Sequence, residues 1–338
     1  MSYHNYYPKV EELTSPIFSI VIPLYNKSST INRAVQSVLS QTIQDFELIV
    51  VDGNSTDGSF ELVQRINDSR IILFKQKGKG VSEARNEGIN RASSNLVALL
   101  DADDEWHPDF LETIIHLHTV YPGAGIYATA YERRALTTTK PSPLHGLPKP
   151  WEGYLNSYFR IYVESGYPPF CPSCVVLDKN LVSVTGYFNP TSIMSEDLEL
   201  WTKVALTSPI VFTTDIHCRY YLYAENKGST NYHPIKQLPP VTCLHDIPRA
   251  DLEKRGDYDD IQLSIDYQNL IVAYLNLGAG CKAYALDSLS QSHSNKFLIK
   301  RFGLKCLVLL PSSISKKVIL LYSNIPYIRD KILGIFTK

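Results

Sequence analysis

Side chains able to do chemistry concentrate in a few short runs of this 338-residue chain. The densest is NLVALLDADDEW, Asn95 to Trp106, which places Asp101, Asp103 and Asp104 within four positions. Carboxylates this close repel one another, and a fold that keeps them together usually supplies a cation. A hard divalent ion, Mn2+ or Mg2+, held by one or two carboxylates is the usual bridge to a diphosphate. The competing reading is an acidic turn before a helix cap, since HPDFLETIIHLH follows. Three more runs, PLYN, VDGNSTDGS and GKGVSEARNEG, add Asp52, Asp57, Arg85 and Asn86, with glycines that allow close backbone approach. An aspartate at a strand end can accept from a base imide or a ribose hydroxyl, and an arginine can neutralise phosphate or pack on the base. SEDLELW contributes Glu196 and Asp197 near a helix start, where the dipole favours ionised carboxylates. Both are equally at home there as plain first-turn residues. Arg219, Tyr220 and His233 are further candidates for diphosphate or metal-side contacts.

The elements that must position these groups follow from the apolar pattern. Leu96 to Leu100 is an unbroken apolar run ending in Asp101, the pattern of a strand buried on both faces. FSIVIPL, Phe46 to Val51 and Arg70 to Phe74 read the same way, with Pro23 expected to end the first of them. Each is followed by a stretch of helical periodicity: SSTINRAVQSVLSQ with Ser28 or Ser29 as cap, a helix from about Asp57, and VSEARNEGINRASS with Ala84, Gly88 and Ile89 on one face. Units of about thirty residues alternating strand and helix describe a parallel sheet wound with helices on both sides. Its loops then share the carboxyl edge, where ligands of open α/β sheets bind. Farther on, GIYATAYE, CVVL, IVFTTD and HCRYYLYA read as strands, and a helix with Ser195 as cap buries Leu198, Trp201, Val204 and Ala205. Trp151, Leu155, Tyr158 and Tyr162 form a stripe explained better by core packing than by sugar stacking.

Bulk properties exclude several classes. Hydrophobic content of 44% and charged content of 20% are those of a globular protein, and a net charge of −1 gives no general signal for nucleic acid. Six scattered cysteines with no secretory signal before them point to a reducing compartment, and CPSC reads as buried thiols rather than a zinc site. No run of about 18 apolar residues suggests a membrane span. The tail differs: Lys296, Lys300, Arg301, Lys305, Lys316, Lys317, Arg329, Lys331 and Lys338 interleave with leucine, isoleucine and phenylalanine, and only Asp330 is acidic. Such a mixture can lie on an anionic membrane surface, or it can be a solvated helical appendage packed on the core.

SIVIPLYNK, ELIVVDGNSTDGS, GVSEARNEGI, LVALLDADDEWHPDFL and SEDLELW, in this order over residues 18 to about 205, resemble the family 2 glycosyltransferases. The resemblance implies a GT-A fold, a Rossmann-like α/β architecture with a mostly parallel sheet and flanking helices. It would span residues 17–240, with a nucleotide-binding half over 17–130 and an acceptor half over 131–240. A short extension over 1–16 would precede it and a basic helical region over 241–338 would follow. It implies that Pro23, Tyr25 and Asn26 border the base, that Asp52 hydrogen-bonds it, and that Asp57 and Arg85 sit on the nucleotide side. Asp101 would face the ribose and metal, Asp103 would ligate the metal, and Asp104 would orient the site or contact the donor sugar. Asp197 would be the general base, with Glu196 beside it. Many members read V-D-D-G-S-T-D, where this chain has Gly53 and Asn54 after Asp52, so donor contacts differ in detail. The implied reaction is inverting transfer from a nucleoside-diphosphate sugar, expected to be a UDP-sugar, to a saccharide or lipid-linked saccharide in surface polysaccharide or glycolipid synthesis. The expected compartment is the cytoplasm or its membrane face. A sugar-nucleotide nucleotidyltransferase and a non-catalytic binding subunit are the alternatives.

Overall fold

A computed structural model describes residues 16–192, 194–223 and 234–324. The first strand, β1 (Phe18–Leu24), pairs in parallel with β2 (Phe46–Asp52) on one side and with β4 (Leu96–Leu99) on the other, and β3 (Ile71–Lys75) extends the sheet beyond β2. The order β3-β2-β1-β4 reverses direction at β1, so the loops after β1 and β4 lie side by side at the carboxyl edge. Residues of β1, β2 and β4 are almost all buried, as their unbroken apolar runs require. Pro23 does sit near the end of its strand, which stops one residue later.

Helices α1 (Ile31–Leu39), α2 (Ser59–Gln64) and α3 (Val81–Arg91) make the crossovers. Neither Ser28 nor Ser29 caps α1; Thr30 holds that place without a side-chain cap, and the Ser28 N–H is instead given to Asp57. The fit of α3 on β1 depends on Gly88, where an added Cβ would lie 2.4 Å from Val21 Cγ1. Overpacked interiors shift backbone at a cost of typically about 1–3 kcal/mol. Gly88→Ala should therefore lower the unfolding free energy by that much, read as a lower urea midpoint; an unchanged midpoint would show that α3 can move away freely.

After the short strand β5 (Glu105–Trp106) and helix α4 (Phe110–Val120), the sheet continues through β6 (Ile126–Arg134). Short strands β7 (Thr139–Pro141) and β8 (Glu152–Tyr154) lie off the main path. The stripe expected from Trp151 becomes helical only in α5 (Tyr158–Ser165), because Trp151 and its neighbours pair with strand residues around Thr213. Tyr158 and Tyr162 are core residues, stacked at 6.2 Å between ring centroids. CVVL is β9 (Val175–Asp178), inserted antiparallel between β4 and β6, and helix α6 (Lys179–Ser183) leaves it. α7 (Glu196–Thr207) buries Trp201 and Val204. The two closing strands foreseen from IVFTTD and HCRYYLYA are one strand, β10 (Ile210–Tyr221), whose register with β6 slips between Thr213 and Cys218.

The remaining elements are helices: α8 (Pro239–His245), α9 (Arg249–Leu252), α10 (Tyr258–Ala279), α11 (Lys282–Ser290), α12 (Leu298–Leu309) and α13 (Ser312–Asn324). α8 and α9 bury Val241, Leu244 and Leu252 in the main core, whereas α10 to α13 form a second core around Tyr267, Leu270, Leu277, Leu289 and Phe297, which also takes in Tyr162 and Val163 of α5. Polar ties reinforce the seam. Arg160 pairs with Asp260 at 3.0 Å, and Arg255 donates to the Leu206 and Ala205 carbonyls at the end of α7 at 2.8 and 3.1 Å.

Candidate active site

Four loops meet at the carboxyl edge, and each is tied to another by a side chain. Asn26 in the loop after β1 takes a left-handed backbone (φ 49°), accepts from Thr56 N–H at 2.8 Å and donates its own N–H to Ser55 Oγ at 3.0 Å. Asp57 accepts from the N–H of Ser28 at 2.8 Å and of Ser59 at 3.0 Å, and from the Ser59 hydroxyl. Burial is the largest single influence and works the other way, but these bonds together hold its carboxyl down to about 2. Asp57 thus clips the first two loops together. Asp52 is fully buried and accepts from Ser55 N–H at 3.2 Å, while the neighbouring Tyr25 ring is more than half exposed. Gly53 fits beneath that ring: an added Cβ would meet Tyr25 and the Leu24 carbonyl at 3.3 Å. Asn54, which follows, is left-handed (φ 64°), a conformation asparagine tolerates.

Carboxylate oxygens of Asp101, Asp103 and Asp104 lie within 4.8 Å of one another, yet their surroundings differ. Asp104 is fully buried, accepting from Tyr221 N–H at 3.0 Å and Ser173 Oγ at 2.5 Å. Burial, and then the nearby Cys171, Asp103 and Asp101, push its carboxyl well up, so it supports the loop from below. Asp103 pairs with Lys27 Nζ at 2.9 Å, and Arg33 donates to its carbonyl at 2.5 Å. Asp101 pairs with Arg85 at 2.8 Å and donates its N–H to Ser173 Oγ at 3.1 Å. Among the described residues, Asp101 and Asp103 each leave their second carboxylate oxygen without a hydrogen-bond partner. An all-oxygen donor set of two carboxylates with spare acceptor capacity suits a hard divalent cation.

Arg85 joins this cluster to the other side of the edge. Its buried guanidinium gives one nitrogen to Asp101 and another to Glu196 Oε1 at 2.9 Å, with the Phe188 ring 5.0 Å below. Burial works against the charge, but Asp101 and Glu196 more than offset it, and the arginine is held firmly protonated. Glu196 and Asp197 open α7 directly after Ser195, which is left-handed (φ 58°) and, though it occupies the cap position, makes no side-chain cap bond. Three non-glycine residues with positive φ occur among the described residues, and all lie on these loops; such strain gathers at functional sites. The approach to α7 is fixed by Asn86, whose side chain exchanges two bonds with the Phe188 backbone at 2.7 and 3.0 Å. The third acid of SEDLELW, Glu199, is a buried anchor for Asn189, Ser192 and Lys203. Asp197 has a different setting. Burial first and Glu196 second push its carboxyl up to about 7, despite the opposing pull of Arg85 and the Leu198 N–H.

Arg219 is paired with acids. It donates to Glu132 at 2.6 Å and to Glu105, bracing β5 against β10. Tyr220 packs edge-on against Tyr131 at 6.1 Å, and His233 falls outside the described residues. Sequence reasoning overlooked Lys27, Arg33 and Ser173 as members of the site. Lys27 directly follows PLYN, which was a usable signal; Ser173 was hidden because CPSC was read for its thiols.

Residues 19–184 match the profile described as Glycosyl transferase family 2. WfaP of Escherichia coli, a UDP-Glc:alpha-D-GlcNAc-diphosphoundecaprenol beta-1,3-glucosyltransferase, is 29% identical over 225 residues, 66% of this chain and 82% of that protein. TuaG of Bacillus subtilis, a putative teichuronic acid biosynthesis glycosyltransferase, is 39% identical over 100 residues, which is 29% of this chain and 40% of its own length. In fold the chain is similar to S. aureus TarS 1-349 in complex with UDP-GlcNAc, with a TM-score of 0.60 at 14% identity, covering 95% of this chain and 89% of that one. The mannosyltransferase PcManGT of Pyrobaculum calidifontis, in complex with GDP-Man and Mn2+, gives a TM-score of 0.54 at 17% identity over 96% of this chain and 88% of that one. With the profile match, the order of the site loops and the sheet topology in agreement, the chain belongs to the family 2 glycosyltransferases and has their GT-A fold.

Proposed function

We propose that this chain transfers a sugar from a nucleoside diphosphate, a UDP-sugar foremost, to an acceptor hydroxyl with inversion at C1. The single observation that carries the reading is the Arg85 bridge, which ties the donor-side carboxylate of Asp101 to the acceptor-side carboxylate of Glu196 on a common edge. In this reading Tyr25 and Asn26, with Pro23 and Asp52 behind them, border the base. Asp101 and Asp103 would hold a divalent cation, Mn2+ or Mg2+, which supplies Lewis-acid stabilisation of the departing diphosphate. Lys27, at Asp103, adds positive charge where the phosphates would lie. Asp197 accepts the acceptor hydroxyl's proton as that oxygen attacks C1, and a carboxylate poised near neutrality is suited to the task. No side chain on the opposite face need act as nucleophile, so one in-line displacement suffices. Glu196 keeps Arg85 in place, and Arg85 keeps Asp197 partly ionised.

Relatives named for undecaprenol-linked and teichuronic acid chemistry support a saccharide or lipid-linked saccharide as acceptor, in cell-surface polysaccharide or glycolipid synthesis. Asp103→Ala tests the donor half. Titration calorimetry with UDP should show metal-dependent binding in the parent chain and a loss of about tenfold or more in the variant, since ligand loss commonly costs that much affinity. Equal affinity with metal present would reject Asp103 as a ligand.

A further inference from the structure

We infer that the outward face of α12 docks on a lipid bilayer surface bearing anionic headgroups. A helix packed on a protein core normally turns polar residues outward. Here Ile299, Phe302 and Leu309 are 86%, 68% and 84% exposed, and Cys306 between them is exposed too. Their spacing of three, seven and ten residues sets them on one side of the helix. Leu304 and Val308, on the opposite side, are buried in the second core. The apolar stripe is therefore not a misplaced core face; the core face is already filled.

Charge identifies the partner. Lys296 and Lys305 beside the stripe are exposed, and α13 continues the surface with exposed Ile314, Lys316 and Lys317. From Ser288 to Asn324 the chain carries six lysines and arginines and no acid. Burial and the neighbouring Lys296 push the Lys300 ammonium down to about 8, a cost that a negative surface would relieve. An apolar stripe rimmed by cations suits the headgroup region of an anionic bilayer, where each basic residue and each apolar side chain adds to binding. No helix among the described residues is long and apolar enough to cross a membrane, so the contact is interfacial. Beneath the stripe the second core continues to α5, with Phe297 packed on Tyr267 at 5.9 Å between ring centroids and Tyr267 on Tyr162 at 5.6 Å.

The experiment is co-sedimentation of the full chain with phosphatidylcholine vesicles, with and without about 30% phosphatidylglycerol, at low and high salt. Binding should require the anionic lipid, weaken about tenfold or more at high salt, and fall by a similar factor in Ile299→Ser/Phe302→Ser/Leu309→Ser. All three positions are exposed, so the variant should keep its thermal midpoint and its nucleotide binding. A polarity-sensitive dye on Cys306 should shift to the blue on anionic vesicles alone. Three results would overturn the inference: equal binding by the triple variant, indifference to lipid charge, or a parent dimer that the triple variant dissociates while neither form binds vesicles. In each case unchanged donor turnover in solution would leave the transferase reading standing.

Discussion

Replacing Asp197 with asparagine should lower transfer by about 10³-fold while donor affinity stays within about twofold, because a positioned general base commonly contributes 10²–10⁴-fold. The same substitution should make the protein more stable at neutral pH. In the folded chain the Asp197 carboxyl is raised to about 7, chiefly by burial and then by Glu196. Below the ordinary carboxylate range the group is protonated whether the chain is folded or not. Between that range and about 7 only the folded chain keeps the proton, so stability falls as pH rises across the window. Asparagine removes this loss, and a gain of about 1–3 kcal/mol is expected at pH 8, read as a higher urea midpoint. Activity has the opposite dependence, rising with pH through about 7 to a plateau as the base ionises. Near-parent turnover in the variant would reject Asp197 as the base; a rate that falls with pH across this range would reject its proposed protonation state.

Arg85→Met should damage both the stability and the chemistry of the site. It removes the guanidinium between Asp101 and Glu196 and leaves the two acids without their shared cation. Removing one partner of a buried ion pair typically costs about 3–5 kcal/mol. With the arginine's downward pull on Asp197 gone, the rate profile should also move to higher pH. Turnover is expected to fall about 10²-fold even where folding persists, since misplacing reacting groups by about 1 Å costs that much. Arg85→Lys keeps the charge but cannot reach both acids with a planar fork, so it should restore the pH profile more than the rate. Chemical denaturation with parallel pH–rate measurements checks both variants. A Met variant with parent stability and an unmoved profile would show that the bridge does not organise the site.

Much of this arrangement was legible before any coordinates. Largely apolar runs identify β1, β2 and β4, the last two leading to an aspartate, because strands buried on both faces leave little polar alternation to misread. The crossover helices follow from periodicity, and the placement of their loops on one edge follows from handedness. The antiparallel insertion of β9 was not legible, since four apolar residues carry no direction. Nor was the supporting layer. Asp104 looks like its neighbours Asp101 and Asp103 in sequence, yet it is wholly buried on Ser173 and Tyr221, residues that lie 69 and 117 positions away. Arg85 was assigned to the nucleotide by its motif. Its bond to Glu196 crosses 111 positions, and no spacing rule reports such a contact. Ser195 was placed correctly as the residue before α7, but its left-handed backbone replaces the capping bond expected of a serine.

The most direct test is a crystal of the parent chain grown with UDP and Mn2+, located by the ion's anomalous signal. The ion is expected against Asp101 and Asp103, with the diphosphate on the ion, the base beside Tyr25 and Asp52, and Asp197 across the opening from the phosphate end. A nucleotide bound elsewhere, or an ion that leaves both of those aspartates paired only with Arg85 and Lys27, would contradict the donor site and the reaction built on it.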